Sequence, residues 1–142
     1  MTKKKIKKPG GIIDFKKLKD FFGKKTKDNK IIPVVVQDWH SWRVLMAAYI
    51  NKRSLIDSLR QQKATFWSTS RNEPWVKGAT SGNFLALKEV RLNCENNSLL
   101  FLVEPKGNGV CHTKNKKGKY RDSCFYRAIK LKDDELIFGD EE

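Results

Sequence analysis

The stretch GVCHTKNKKGKYRDSCFYR, residues 109–127, holds two of the chain's three cysteines, Cys111 and Cys124, with His112 directly after the first. The third, Cys94, lies upstream in RLNCENN. Three thiols cannot all pair within one chain, so they point to metal binding, nucleophilic chemistry or burial as free thiols. A catalytic zinc takes three protein ligands and keeps a fourth position open, which fits the count. The spacing contains no C-x-x-C knuckle, so three cysteine ligands would have to converge through the fold or across subunits. Buried core thiols are the competing reading. His112 could be a ligand, a general base or neither, and His40 in DWHSW reads as neither.

A second candidate is the polar segment TSRNEPWVKGATSGN, residues 69–83. Unstructured loops of that length are uncommon in a compact domain unless they bind something or are disordered. With the residues just before it, this one offers Trp67, Trp75, Arg71 and Lys77, hydroxyls at Ser68, Ser70, Thr80 and Ser81, and the glycines Gly78 and Gly82. Glycines let backbone N–H groups approach a phosphate, and the guanidinium fork suits its oxygens. The competing reading is a surface loop with two tryptophans tucked into the core.

The chain around these groups has 142 residues, 39% hydrophobic and 11% aromatic, enough to bury one core. The opening MTKKKIKKPGG is not followed by an apolar run, and no stretch approaches the roughly eighteen apolar residues of a membrane helix. The odd cysteine count and the missing signal favour the cytoplasm and its reduced thiols. The net charge of +14 could serve a nucleic-acid partner through counterion release. The lysines cluster in runs near the N-terminus and in residues 114–121, as solvated ends and loops do, and no RNA-recognition signature accompanies them. A nucleic-acid partner is therefore not expected.

The elements that must position these groups read as follows. Residues 1–10 look like a frayed basic arm, and Asp14 could cap a short helix over DFKKLKDFF. IIPVVVQD and RVLMAAYI read as a strand pair turned by DWHSW. Asn51 opens a helix over NKRSLIDSLRQQ, with Leu55, Ile56 and Leu59 on one face. ATFWS, FLALKEVRLN, SLLFLVEP and SCFYRAIKL read as further strands, and DDELIFGDEE as an acidic tail. The organisation is thus an arm and helix over 1–30, a single domain over 31–130 and a tail over 131–142.

FWSTSRNEPWVKGATSGN, then RLNCENNSLLFLVE, VCHT and SCFYR, resemble the phosphoribosyl-AMP cyclohydrolase family of histidine biosynthesis. The resemblance extends upstream through PVVVQD and VLMAAYIN. It covers residues 31–127, roughly two-thirds of the chain, with separate motifs in the family's order. It implies a mostly β, α+β fold with few helices and a small β-sandwich or pseudo-barrel core, in an intertwined homodimer. It implies hydrolytic opening of the N1–C6 bond of the adenine ring of phosphoribosyl-AMP. It also implies zinc held by Cys94 of one chain and by Cys111 and Cys124 of the other, making hydroxide available from water near pH 7, about where zinc brings the water's pKa. His112 then becomes a proton carrier. Trp67, Ser68, Ser70, Arg71, Trp75, Lys77, Gly78, Thr80, Ser81, Gly82 and Asn83 fall at substrate-binding positions.

The chain departs from the family pattern in three places. Around the first cysteine the family reads Asp-Cys-Asp-x-Asp, a magnesium site, where this chain has Asn93, Glu95 and Asn97 flanking and following Cys94. Magnesium favours anionic oxygens, so a weakened site is expected. Trp42 stands where the family has a turn glycine, which suggests a differently built hairpin. The segment between Cys111 and Cys124 is longer than usual, and its basic residues should bulge outward. The alternative reading is a basic nucleic-acid binder, or an inactive relative with structural zinc, on the same scaffold.

Overall fold

The computed structural model describes residues 5–8, 11–14, 31–132 and 135–140, with side chains described for 31–131. The fold is mostly β with one α-helix among the described residues. Its centre is a four-stranded sheet of β3 (Ile32–Asp38), β4 (Val44–Ile50), β7 (Leu85–Leu92) and β8 (Leu99–Pro105). The spatial order is β4-β3-β8-β7, and the central β3–β8 pair is parallel while the outer pairs are antiparallel. Alternation in β3 sends Ile32, Val34 and Val36 inward and Pro33 and Val35 outward, the period-2 pattern of a strand with one covered face.

The covering layer on the inner face is α1 (Lys52–Gln61) and the hairpin of β5 (Thr65–Ser68) and β6 (Glu73–Val76). Leu55, Leu59 and Phe66 join Ile32, Val34, Val36, Ile50, Phe101 and Val103 in one core. Each fully buried large apolar side chain contributes about 1.5–3 kcal/mol relative to exposure. The helix begins where the sequence predicts. The Asn51 side chain accepts from Ser54 N at 2.9 Å, and Ser54 Oγ accepts from Asn51 N at 3.0 Å, a reciprocal capping box. Ser58, one turn on, accepts from Thr65 N at 2.9 Å and ties the helix to the start of β5.

Several expectations change. Lys5–Lys8 of the supposed frayed arm form β1, paired with β2 (Gly11–Asp14), which sets Ile6 opposite Ile13; β-branched residues favour this pairing. Asp14 closes that strand, and the helix expected to follow it lies outside the described residues. The long polar loop is shorter than it reads, because Glu73–Val76 pair with Thr65–Ser68. In SCFYRAIKL only the second half is strand, β9 (Arg127–Lys132). It pairs with β10 (Glu135–Asp140) from the acidic tail, which therefore contributes a strand. The four-stranded sheet carries the helix and the two-stranded β5–β6 sheet on its inner face.

At the hairpin between β3 and β4, the residue in the glycine position carries the positive φ itself. Trp42 adopts φ +64°, the left-handed region a glycine would occupy. Asp38 steadies this turn by accepting from His40 N at 2.7 Å and Ser41 N at 3.0 Å.

Asn51→Ala removes one half of the capping box at a buried helix start. It should lower unfolding free energy by about 1–2 kcal/mol, read from the urea midpoint, with the folded-state circular dichroism unchanged.

Candidate active site

The site is organised by an irregularity in β4. Val36 pairs with Met46 but Gln37 pairs with Val44, so Leu45 is the extra residue of a β-bulge. The bulge turns carbonyls away from the ladder, and a distant segment uses them. Ser123 Oγ, buried, donates to Val44 O at 2.8 Å and lies 3.2 Å from Leu45 O. Cys124 N donates to Leu45 O at 2.7 Å. Ser123 Oγ also accepts from Phe125 N at 3.0 Å, so this short stretch is held on both sides of Cys124.

Cys111 arrives from the opposite direction. Val110 N and Cys111 N both donate to Arg121 O, at 3.0 and 2.9 Å, and Arg121 N donates to Thr113 O at 3.1 Å. The close approach needs Gly109, where a Cβ would sit 2.6 Å from Tyr120 O. The lysine-rich extra residues form their own hairpin. Asn115 Oδ1 accepts from Lys117 N and Lys119 N, both at 3.0 Å, and Asn115 N donates to Lys119 O at 2.8 Å. Lys114, Lys116, Lys117 and Lys119 are exposed, so the extra length projects outward.

Cys111 and Cys124 lie close enough to influence each other's ionisation, and their acidities separate. Burial pushes Cys124 up to about 11, and the neighbouring Cys111 adds to the shift. Burial also acts to raise Cys111, but hydrogen bonds from Thr113, with help from Cys124 and Arg121, outweigh it and hold that thiol below its ordinary value. Thr113 Oγ1 lies 2.9 Å from Cys111 Sγ. Arg121 Nη1 donates to Thr113 Oγ1 at 3.2 Å and to Lys114 O at 2.8 Å, while its guanidinium lies 3.9 Å from the Tyr126 ring centroid. Lys77 is buried near both thiols. Burial lowers its pKa against the opposing pull of Cys124 and Cys111. Ser123, Thr113 and Arg121 were not singled out from sequence; the one available signal was their place beside, or two or three positions from, a cysteine.

Cys94 stands apart on the exposed turn after β7. Among the described residues, no three Cys, His, Asp or Glu side chains of one chain gather as a metal-binding group. The donor chemistry of the Cys111–Cys124 pair suits zinc. His112 is exposed beside Cys111.

The expected magnesium residues do come together, but on one another. Asn93 Oδ1 accepts from Asn97 N and Ser98 N, both at 2.9 Å. Asn97 Oδ1 accepts from Asn93 Nδ2 at 2.6 Å, and Glu95 Oε2 accepts from Asn97 Nδ2 at 3.3 Å. A magnesium ion needs these oxygens turned towards it and prefers anionic ones. One carboxylate, with amide oxygens already accepting N–H groups, does not fit that ion.

The proposed substrate residues fall into two groups. Ser70, Arg71, Thr80, Ser81 and Gly82 are exposed, and Ser68 and Trp75 are half-buried. Trp67, Lys77, Gly78 and Asn83 are buried. Gly78, at φ +89°, lies so close to Asn83 that a Cβ there would sit 2.4 Å from the Asn83 carbonyl carbon. Asn83 Oδ1 accepts from Asn108 N at 2.9 Å, whereas Asn83 Nδ2 and Trp67 Nε1 are buried donors with no acceptor among the described residues. Such groups cost free energy unless a partner arrives.

The family profile of phosphoribosyl-AMP cyclohydrolase matches residues 46–126. The chain is 42% identical over 120 residues to the phosphoribosyl-AMP cyclohydrolase of Chloroherpeton thalassium, covering 80% of this chain and 81% of that one. The chain belongs to the phosphoribosyl-AMP cyclohydrolase family. To the same enzyme of Clostridium beijerinckii it is 41% identical, over 82% of this chain and 92% of the relative. The histidine biosynthesis bifunctional protein HisIE of Prochlorococcus marinus is 45% identical over 103 residues, but those span only 44% of that longer protein. Membership of this cyclohydrolase family makes the protein a hydrolase. No helix among the described residues is long and apolar enough to cross a membrane.

Thr113→Val removes the hydroxyl beside Cys111. In chelator-treated protein the first thiolate step, followed by ultraviolet absorbance, should move to higher pH; an unmoved step would mean the hydroxyl does not acidify Cys111.

Proposed function

We propose that the protein hydrolyses phosphoribosyl-AMP at C6 of its adenine ring, in histidine biosynthesis, as a zinc-dependent homodimer. Family membership across the site segments carries this reading. Water adds to C6 and the N1–C6 bond opens. C6 keeps its exocyclic nitrogen and becomes a carboxamide carbon, and N1 takes up a proton as it leaves with its phosphoribosyl group. The product is the phosphoribosyl-formimino-aminoimidazole carboxamide ribotide.

Cys111 and Cys124 of one chain with Cys94 of its partner would hold the zinc, which when bound acidifies water for the addition. Thr113 and the Ser123 anchor fix the thiols. His112, exposed and adjacent to Cys111, moves the proton to N1. The exposed hydroxyls and Arg71 receive the phosphates, and Trp67 Nε1 and Asn83 Nδ2 are donors whose acceptors the substrate or the second chain would supply. The outer sheet face supports a dimer: Val35 and Val44 are each 40% exposed and Tyr49 52%, an apolar surface of the kind that marks interfaces.

Sharing of the site is tested by complementation. Cys94→Ser and Cys111→Ser proteins should each be inactive. In their heterodimer one site carries both substitutions and the other carries none, so re-equilibrated mixtures should regain activity and zinc. Failure of active mixtures to appear, with heterodimers demonstrated, sinks the shared site.

His112→Ala should lower turnover by about a hundredfold to ten-thousandfold with zinc content unchanged. Full zinc with near-normal turnover would remove His112 from the mechanism.

A further inference from the structure

Every turn that presents a metal ligand must be held rigid, because a wandering thiol loses affinity. The turn carrying Cys94 joins β7 to β8 and is exposed from residue 94 to residue 97. Almost nothing of the core reaches it, so its rigidity must come from inside.

It has an internal source. Asn93 N donates to Ser98 O at 3.2 Å and Asn96 N to Asn93 O at 3.1 Å, closing the backbone. Within that ring the Asn93 carboxamide takes two backbone N–H groups, from Asn97 and Ser98. Its own N–H reaches Asn97 Oδ1. Asn97 then passes the chain of bonds to Glu95. Asn96 at φ +55° completes the reversal, a conformation asparagine tolerates better than most residues. Carboxylates at positions 93 and 97 could supply none of these side-chain N–H groups. Three carboxylates around Cys94 would repel one another and call for a cation; two amides and one carboxylate satisfy each other.

We infer that Asn93 and Asn97 are positioning residues for Cys94, and that their amide clasp does the work of a divalent cation, so that this turn is ordered with no magnesium bound. The inference deepens the shared-zinc reading and rests on it for the role of Cys94. The ordering of the turn itself does not depend on that reading.

The test uses the zinc-loaded full chain and follows hydrogen–deuterium exchange across residues 93–98 together with zinc content. In the unsubstituted protein, exchange should be the same with no magnesium and with millimolar magnesium. Asn93→Ala should speed exchange in this turn and weaken zinc retention by about 10–100-fold. The double variant Asn93→Asp, Asn97→Asp should exchange fast without magnesium and slow when it is added. Saturable slowing of the unsubstituted turn by magnesium, abolished in Glu95→Gln, would overturn the inference. So would unchanged exchange in Asn93→Ala, or faster exchange with zinc retention intact. Cys94→Ser keeps the two readings distinguishable. If it retains zinc fully, the shared site fails, while the exchange measurements still decide whether amides or a cation hold the turn.

Discussion

The site depends on two carbonyl groups freed by one bulged residue. In a regular edge strand consecutive carbonyls point to opposite sides, so one of the Val44 and Leu45 carbonyls would face β3. The bulge offers both to Ser123 and Cys124 instead, across almost eighty positions of sequence. Because Ser123 is buried and bonded on both its donor and acceptor sides, the segment cannot slide without orphaning polar groups. Cys124 is thereby fixed to an outer strand of the central sheet, and Cys111 is brought to it by the Arg121 carbonyl. The parallel β3–β8 pair beneath, with its core of valines, isoleucine and phenylalanine, keeps that platform stiff.

Electrostatics at the thiol pair follows from this placement. Two ionisable sulfurs side by side, away from water, do not both lose protons easily. The structure resolves the conflict by giving Cys111 the hydrogen bonds and leaving Cys124 the burial. Lys77 adds positive charge to the same neighbourhood from the glycine-flanked turn after β6. Sequence pattern alone places this lysine with the phosphate-binding groups. Its burial places it with the thiols, while Arg71 and the hydroxyls remain towards solvent.

Much of this was legible in the sequence, for local reasons. The β-branched run Ile32–Val36, the Asn51 cap with its Ser54 partner and the alternation of β8 each carry their own signal within a few residues. The cysteines and His112 stood out by residue type, and the motif order around them pointed to the family. What stayed hidden is non-local or context-bound. Glu73–Val76 contains a proline and lies among polar residues, so only its pairing with β5 reveals a strand. A bulge at Leu45 leaves no mark in VLMAAYI. Trp42 at positive φ contradicts its own propensity and is held there by the turn around Asp38. Ser123 and Thr113 look like ordinary small polar residues until their partners are seen.

The hairpin between Cys111 and Cys124 separates chain length from spatial distance. Lys114 bridges to Tyr120, and Asn115 closes the tip with its own side chain, so the residues between contribute nothing to the spacing of the thiols. The two cysteines see only the short stems. The tip is therefore a place where evolution can lengthen, shorten or recharge the chain while the chemistry beneath keeps its shape. The same property makes Lys116 and Lys117 a natural attachment point for a probe or a tether that must not disturb the paired cysteines.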